Sequence, residues 1–272
     1  MGSLRVLCTR LPNMHKAMPK RISVVAPLYN EKDGIAMLAQ TLSQLAARLG
    51  PDRELECVLV DDGSRDGTTE EAKKQFASWP RVVHVKHERN RGVGAAVRSG
   101  FAAASGEVIC TIDSDCTFDP LQIPELLDLM EREKADIGTA SPYHPQGGVE
   151  NVPPWRLLLS RGASVVYRRV SASRLFSYTA LMRAYRRKVV ETVPFESDGF
   201  SATTEVLLRA VQQGYRVVEL PMVLKSRAIG VSKMKVIDTI RMHLGLMSRA
   251  LWWRIADRKA AVALSKHQSQ AN

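Results

Sequence analysis

Asp113-Ser-Asp115 sets two carboxylates one residue apart. Alternate residues of an extended strand point to opposite faces, but where a strand ends the chain turns, and two such carboxylates can converge on one hard cation. The pair suits Mg²⁺ or Mn²⁺ bridging a diphosphate, because these ions keep several non-protein oxygens and neutralise a leaving group's charge. An isolated Asp-x-Asp is usually an ordinary turn. Here the β-branched run Val108-Ile-Cys-Thr-Ile112 precedes it and Pro120 opens a helical stretch behind it, a context that favours metal ligands over a plain turn.

A second acidic cluster, Asp61-Asp-Gly-Ser-Arg-Asp-Gly-Thr68, follows the run Glu56-Cys-Val-Leu-Val60. Asp, Gly and Ser dominate turns and caps, and Asp66 is placed to cap a helix. Asp61 and Asp62 are assigned instead to nucleoside contacts, since carboxylates at a crevice edge accept hydrogen bonds from a base or ribose. Gly92-Val-Gly94 does not complete a dinucleotide fingerprint, because Val97 stands at its last position; close packing of helix on strand accounts for both glycines. His84, His87 and His144 are scattered and read as ordinary strand or loop residues. Cys8, Cys57, Cys110 and Cys116 form no C-x-x-C pair, so neither zinc nor a disulfide framework is expected.

The elements that must position these residues are legible from Arg21 onward. Short β-branched runs at 22–26, 56–60, 82–85, 108–112 and 137–140 alternate with helix-length stretches at 33–49, 66–79, 92–104 and 120–133. That alternation predicts an α/β fold with a mostly parallel central sheet covered by helices on both faces. Polar and acidic residues follow successive strands at Pro27-Leu-Tyr-Asn-Glu31, Asp61–Thr68, Asn90–Gly94 and Asp113–Asp115. In open α/β sheets the carboxyl ends of the strands are the edge where ligands bind, so four clusters point to one crevice. Beyond residue 141 a Pro- and Gly-rich stretch leads to a basic helix near 156–170, a strand within 178–185, a helix at 203–213 and a strand at 216–220, expected to complete the same domain and supply the acceptor side.

Charge divides the chain differently. Of its net +11, residues 1–21 hold five bases and no acid, residues 227–272 hold nine bases and two acids, and 22–226 are left at −1. A balanced body with basic ends argues against nucleic acid as partner and for an anionic membrane surface. The expected organisation is a mobile basic extension over 1–20, one catalytic domain over 21–226 and a basic tail over 227–272. In the tail Ile237, Ile240, Leu244, Met247 and Leu251 form an amphipathic stripe ending at Trp252 and Trp253, fit for a membrane surface or for packing on the body or on a partner. Every apolar stretch is interrupted by charge too soon to span a bilayer, and the first twenty residues lack the apolar core of a secretory signal.

Val24-Val-Ala-Pro-Leu-Tyr-Asn-Glu31, Asp61–Thr68, Asn90–Gly94 and Asp113–Asp115, in this order and spacing, resemble family 2 of the inverting glycosyltransferases, whose fold is the Rossmann-like GT-A type. Leu159-Ser-Arg-Gly-Ala163, Met182-Arg-Ala-Tyr-Arg-Arg187 and Arg227-Ala-Ile-Gly-Val-Ser-Lys233 look like its dolichol-phosphate mannose synthase branch; the resemblance covers about residues 21–240. It implies that Pro27, Tyr29, Glu31, Asp61, Asp62 and Ser114 bind the nucleotide sugar and that Asp113 and Asp115, the catalytic pair, hold the divalent cation. Thr117 would add a polar contact, and Arg161, Arg227, Ser232 and Lys233 would gather around the acceptor phosphate. Three positions depart from the branch: Pro142 and Leu181 replace an expected Arg and Gly, and Ser177 an expected Asp.

The implied reaction moves a hexose from a nucleotide diphosphate sugar, GDP-mannose in preference to UDP-glucose, to a polyprenyl phosphate with inversion. A phosphate monoester's second ionisation lies at about 6, so this nucleophile needs no strong base and no catalytic histidine. The enzyme would sit peripherally at the cytoplasmic face of a membrane, alone, as a homo-oligomer or with a membrane-protein helper. Two alternatives remain: the same fold serving a soluble or protein-bound hydroxyl, which requires a base that no residue supplies, and a non-enzymatic basic module binding membrane or nucleic acid, against which the intact acidic pair argues.

Overall fold

A computed structural model describes residues 20–171, 173–226 and 240–253. Among the described residues nine strands occur in chain order: β1 (Arg21–Leu28), β2 (Glu54–Asp61), β3 (Val82–Lys86), β4 (Val108–Thr111), β5 (Ile137–Ser141), β6 (Gly148–Glu150), β7 (Arg183–Arg186), β8 (Val217–Pro221) and β9 (Val223–Lys225). The helices are α1 (Ile35–Leu49), α2 (Thr68–Gln75), α3 (Val93–Ala103), α4 (Ile123–Arg132), α5 (Pro154–Val170), α6 (Arg187–Thr192) and α7 (Ala202–Gln212), followed by a C-terminal helix over 240–253. Seven strands form one sheet in the order β3-β2-β1-β4-β7-β5-β8, and β6 pairs with β9 in a small parallel ribbon. The expected alternation is present with boundaries shifted by a few residues.

β7 is the departure from parallel order, running antiparallel to both β4 and β5. Its strand begins at Arg183 rather than near 178 because the carbonyls before it bond to side chains instead of a ladder. Tyr178 O accepts from Arg183 and Thr204, and Leu181 O accepts from the Thr111 hydroxyl at 2.5 Å.

Neighbouring residues of the central strands send side chains to opposite faces, as a sheet covered on both sides requires. Val24 and Leu59 pack with α1 and α4; Val25, Val58 and Val60 pack with α3 and α7. Arg183 is fully buried in the middle of this sheet and bonds Thr139 Oγ1 (3.0 Å), Thr203 O and Tyr178 O.

The C-terminal helix packs on the second of these faces. Leu246 and Ala250 are buried, and Tyr167 Oη lies 2.8 Å from His243 Nδ1. Arg209 stacks on Trp253, its Cζ 4.4 Å from the ring centre, and Arg249 Nη2 donates to Ser197 Oγ at 3.0 Å. Ile240, Leu244, Leu251 and Trp252 stay exposed. Of the predicted stripe, Met247 joins Leu246, Ala250 and Trp253 in packing on this face, while Ile240, Leu244 and Met247 line a cavity beside it. Ile237 and the bases from Arg254 onward lie outside the described residues, as do residues 1–19.

Two outcomes follow from this packing. Arg183→Leu removes three buried hydrogen bonds, to Thr139 Oγ1, Thr203 O and Tyr178 O, of which Tyr178 O keeps the Thr204 hydroxyl. The expected loss in denaturant unfolding is about 2 kcal/mol or more, since hydrogen bonds to a charged group contribute about 1.5–3 kcal/mol each. Burial holds the His243 pKa below its usual 6.5, so the folded state disfavours the imidazolium. Stability from this site is present above pH 6.5 and is lost as pH falls below it, because the unfolded chain then binds more protons. Protection factors for the amides of 243–250, taken relative to the intrinsic exchange rate at each pH, are expected to fall on that side of pH 6.5, and His243→Phe to remove the dependence.

Candidate active site

The parallel strands β1, β2 and β4 end side by side, Leu28 opposite Asp61 and Val25 opposite Thr111. Their following loops are stitched together. Asn30 N–H donates to Ser64 Oγ and Glu31 N–H to Thr68 Oγ1, both at 2.8 Å, and Asn30 Oδ1 accepts Arg65 N–H at 2.8 Å. Pro27, Tyr29 and Glu31 are half-buried on this edge. Asp66 Oδ1 accepts Thr68 N–H at 3.0 Å, the capping role expected of it, although Gly67 occupies the N-cap position of α2.

Asp61 and Asp62 are buried and shape these loops. Asp61 accepts Ser64 N–H at 2.8 Å and the Thr69 hydroxyl, closing the turn after β2. Asp62 Oδ1 accepts Arg91 N–H at 2.9 Å and lies 2.6 Å from His87 Nδ1, while Oδ2 accepts Gly92 N–H at 2.7 Å. His87 Nε2 in turn is 2.8 Å from Ser99 Oγ, so this imidazole ties the loop after β3 to α3. His87 is thus a loop residue, as expected, with structural hydrogen-bond partners on both ring nitrogens. Gly63, at φ 75°, is required because a Cβ there would collide with the Arg89 backbone.

Gly92 and Gly94 also have a different cause from the one expected. A Cβ on either would strike Asp198 O or Ser197 O, and Gly94 N–H donates to Asp198 O at 2.6 Å. The glycines admit the segment 197–199 onto the start of α3; the close approach of this helix to a strand occurs at Gly100, against Val25. Glu205, fully buried, anchors that segment by accepting Ser197 N–H at 2.9 Å and Ser197 Oγ–H at 2.6 Å. These hydrogen bonds, with Arg249 and Arg209 nearby, hold its carboxyl below the usual carboxylate range against the opposing effect of burial.

Past β4, Ile112 N–H still donates to Val25 O at 3.1 Å, and the chain then turns: Cys116, at φ 52°, donates its N–H to Asp113 O at 3.1 Å. Asp113 and Asp115 are thereby carried on one tight turn at the end of the strand. Asp115 is buried with Ser114 beside it, its Oδ1 accepting Thr117 N–H at 3.2 Å, whereas Asp113 is half-buried and lines a cavity. Burial pushes the Cys116 thiol up to about 12. Among the described residues no group of three or more His, Cys, Asp or Glu side chains could hold a metal ion. Two carboxylates form an oxygen donor set that fits a cation keeping non-protein oxygens.

The cavity holds about 420 Å³ and runs between α5, residues 177–181, residues 199–203 and the C-terminal helix. Its lining includes the polar side chains of Asp113, Thr117, Arg156 and Lys225 and is otherwise largely apolar, with Leu158, Phe200 and Leu244 among the wall residues; Lys225 N–H donates to Thr117 O at 2.9 Å. Pro27, Tyr29, Glu31, Asp61, Asp62, Ser114 and Asp115 do not line the cavity. Pro142, Ser177 and Leu181, the three departures, all lie on its wall. Arg161 does not face it: its guanidinium stacks on Tyr143, 5.1 Å from the ring centre, in a neighbouring cavity. Arg227, Ser232 and Lys233 lie outside the described residues. Sequence reasoning missed Arg156, Lys225 and Glu205, for lone charged residues on otherwise ordinary elements carry no local signal.

A family model described as Glycosyl transferase family 2 matches residues 23–193. The chain is 32% identical over 222 residues to a polyprenol monophosphomannose synthase of Mycolicibacterium smegmatis, covering 79% of this chain and 81% of that protein. It is also 32% identical to a dolichol-phosphate mannosyltransferase of Pyrococcus furiosus, covering 86% of this chain and 64% of the longer relative. Among solved structures it is similar to glucosyl-3-phosphoglycerate synthase of Mycobacterium tuberculosis, determined with Mn²⁺, UDP and glucosyl-3-phosphoglycerate. That match has a TM-score of 0.60 at 20% identity, over 88% of this chain and 80% of that one, a likeness of fold. The mostly parallel sheet is thus of the GT-A type, and with the matched motifs at its carboxyl edge the chain belongs to glycosyl transferase family 2 and is a glycosyltransferase.

Proposed function

We propose that this glycosyltransferase moves a hexose, mannose from GDP-mannose in preference to glucose from UDP-glucose, onto the phosphate of a polyprenyl phosphate, with inversion at the anomeric carbon. The observation that carries the reading is that Asp113 lines a largely apolar cavity together with Arg156 and Lys225. A lipid phosphate needs both environments at once: charge where its head reacts and an apolar wall for its chain. The relatives named for polyprenol and dolichol phosphates support the acceptor class.

Asp113 and Asp115 would hold Mg²⁺ or Mn²⁺, which when bound neutralises the departing diphosphate. The chain's own residues do the rest. Pro27, Tyr29 and Glu31 line the nucleoside side, with Asp61, Asp62 and Ser114 shaping its loops. Arg156 and Lys225 would attract the acceptor phosphate into the cavity they line, joined by Arg227, Ser232 and Lys233. Holding two phosphate groups in line lowers the barrier by orientation and charge, without a proton to remove. A hydroxyl acceptor would require a general base, and the cavity's titratable lining, Asp113, Tyr143, His243, Arg156 and Lys225, is better suited to an anion.

Exposed Trp155, Leu158, Leu159, Val165 and Val166 on α5, together with Ile240, Leu244, Leu251 and Trp252, form the apolar surface on which the domain would rest at a membrane. Among the described residues no helix is long and apolar enough to cross one. Free Cys57, Cys110 and Cys116 suit the reducing cytoplasmic side.

Incubation with labelled GDP-mannose or UDP-glucose and a short polyprenyl phosphate is expected to carry label into the organic phase, with GDP-mannose the better donor. Asp113→Asn and Asp115→Asn should each lower turnover by about a hundredfold or more, comparable to losing one preorganised charge-stabilising group. Chelation of divalent ions should do the same to the parent. Label recovered only in water-soluble product, or full turnover in the Asp115→Asn chain with chelator present, refutes the proposal.

A further inference from the structure

α5 separates two cavities that meet at Pro142, Tyr143 and Leu157. The one on the far flank from Asp113 holds about 600 Å³, and its charged lining is entirely basic. Arg161 and Arg168 enter it from α5, two helical turns apart and so on one face. No Asp or Glu lines it, and neither guanidinium forms an ion pair among the described residues.

Both groups are held in place. Arg161 Cζ lies 5.1 Å from the Tyr143 ring centre and Arg168 Cζ 4.9 Å from that of Phe176. Arg168 also gives Nε and Nη2 to Leu175 O at 3.0 and 2.9 Å, which fixes one edge of its fork. His144 packs edge-on against Phe176, ring centres 5.2 Å apart, and its Nδ1 accepts Gln146 N–H at 3.2 Å. The proton of the neutral ring is then on Nε2, making that atom a donor. Both arginines are exposed, so a ligand can reach them from solvent, and a ring-stacked guanidinium with no carboxylate partner is suited to phosphate.

We propose that this cavity is a second anion site, separate from the acceptor cavity, which takes the phosphate of an anionic lipid headgroup. The lipid source, rather than free phosphate, follows from the same helix: Val165 lines the cavity and is half exposed, and Trp155, Leu158, Leu159 and Val166 continue the apolar surface beside it. A headgroup there would have its acyl chains next to apolar side chains. This lipid assignment rests on the reading that α5 lies on a membrane.

The test uses the full chain and an Arg168→Gln/His144→Gln variant, neither residue having a part in the transfer machinery. Cosedimentation is measured with phosphatidylcholine vesicles and with vesicles containing phosphatidylglycerol, and transfer to a short polyprenyl phosphate is followed in detergent. The parent is expected to prefer the anionic vesicles, and the variant to lose about fivefold of that preference, the factor one basic residue supplies near an anionic surface. Its binding to phosphatidylcholine and its transfer rate should be unchanged.

Equal anionic preference in both chains overturns the proposal, as does an equal loss on both vesicle types, which indicates damage to α5. Inorganic phosphate binding that depends on Arg168 with no vesicle difference overturns the lipid source. A parent that transfers hexose without anionic preference sinks this inference alone. An Arg168-dependent preference without transfer sinks the proposed reaction instead.

Discussion

The turn that follows β4 must hold two negative charges a residue apart at the edge of a buried sheet, an arrangement that repulsion and desolvation both oppose. Backbone geometry imposes it: β4 stays in register with β1 up to Ile112, and Cys116 in the left-handed region closes the turn onto Asp113 O. Asp115 is thereby tucked in and Asp113 left at a cavity mouth. The hydrogen bonds of the neighbouring loops, through Asp61, Asp62 and His87, secure the other walls of the same edge.

The remaining architecture gives that edge an apolar counterpart. The segment 197–203 is pressed against the start of α3 by two glycines and held from behind by Glu205, and the C-terminal helix leans on it through Arg249. This carries Phe200 and Leu244 to the same cavity as Asp113. Charged and apolar lining therefore come together from Asp113 and from Phe200 and Leu244, 87 and 131 residues further along the chain, joined by backbone carbonyls and one buried carboxylate.

α5 is the least enclosed of the long helices: of its seventeen residues only Ser164 and Tyr167 are buried. Such a helix is not held by its core contacts alone, and its exposed tryptophan, leucines and valines are best matched by an apolar medium. The arginines between them point to a surface that is apolar beneath and anionic at the top. This is consistent with the balanced charge of the body and the bases gathered toward the two ends.

The central strands, the helices between them and the acidic clusters after β1, β2 and β4 were legible in the residues themselves. Periodicity and turn chemistry are local, and parallel α/β connections leave few topologies open. The motifs likewise carried the family, because their order and spacing lie within one stretch of chain. Long-range packing decided what remained. The outward turn of Ile240, Leu244 and Leu251 depends on which side of that helix met Tyr167 and Glu205, the use of Gly92 and Gly94 depends on a segment a hundred residues later, and the removal of Arg161 from Asp113 depends on Tyr143 offering its ring. Each of these is a choice among alternatives that the local pattern permits equally, and only the contact made in the folded chain distinguishes them.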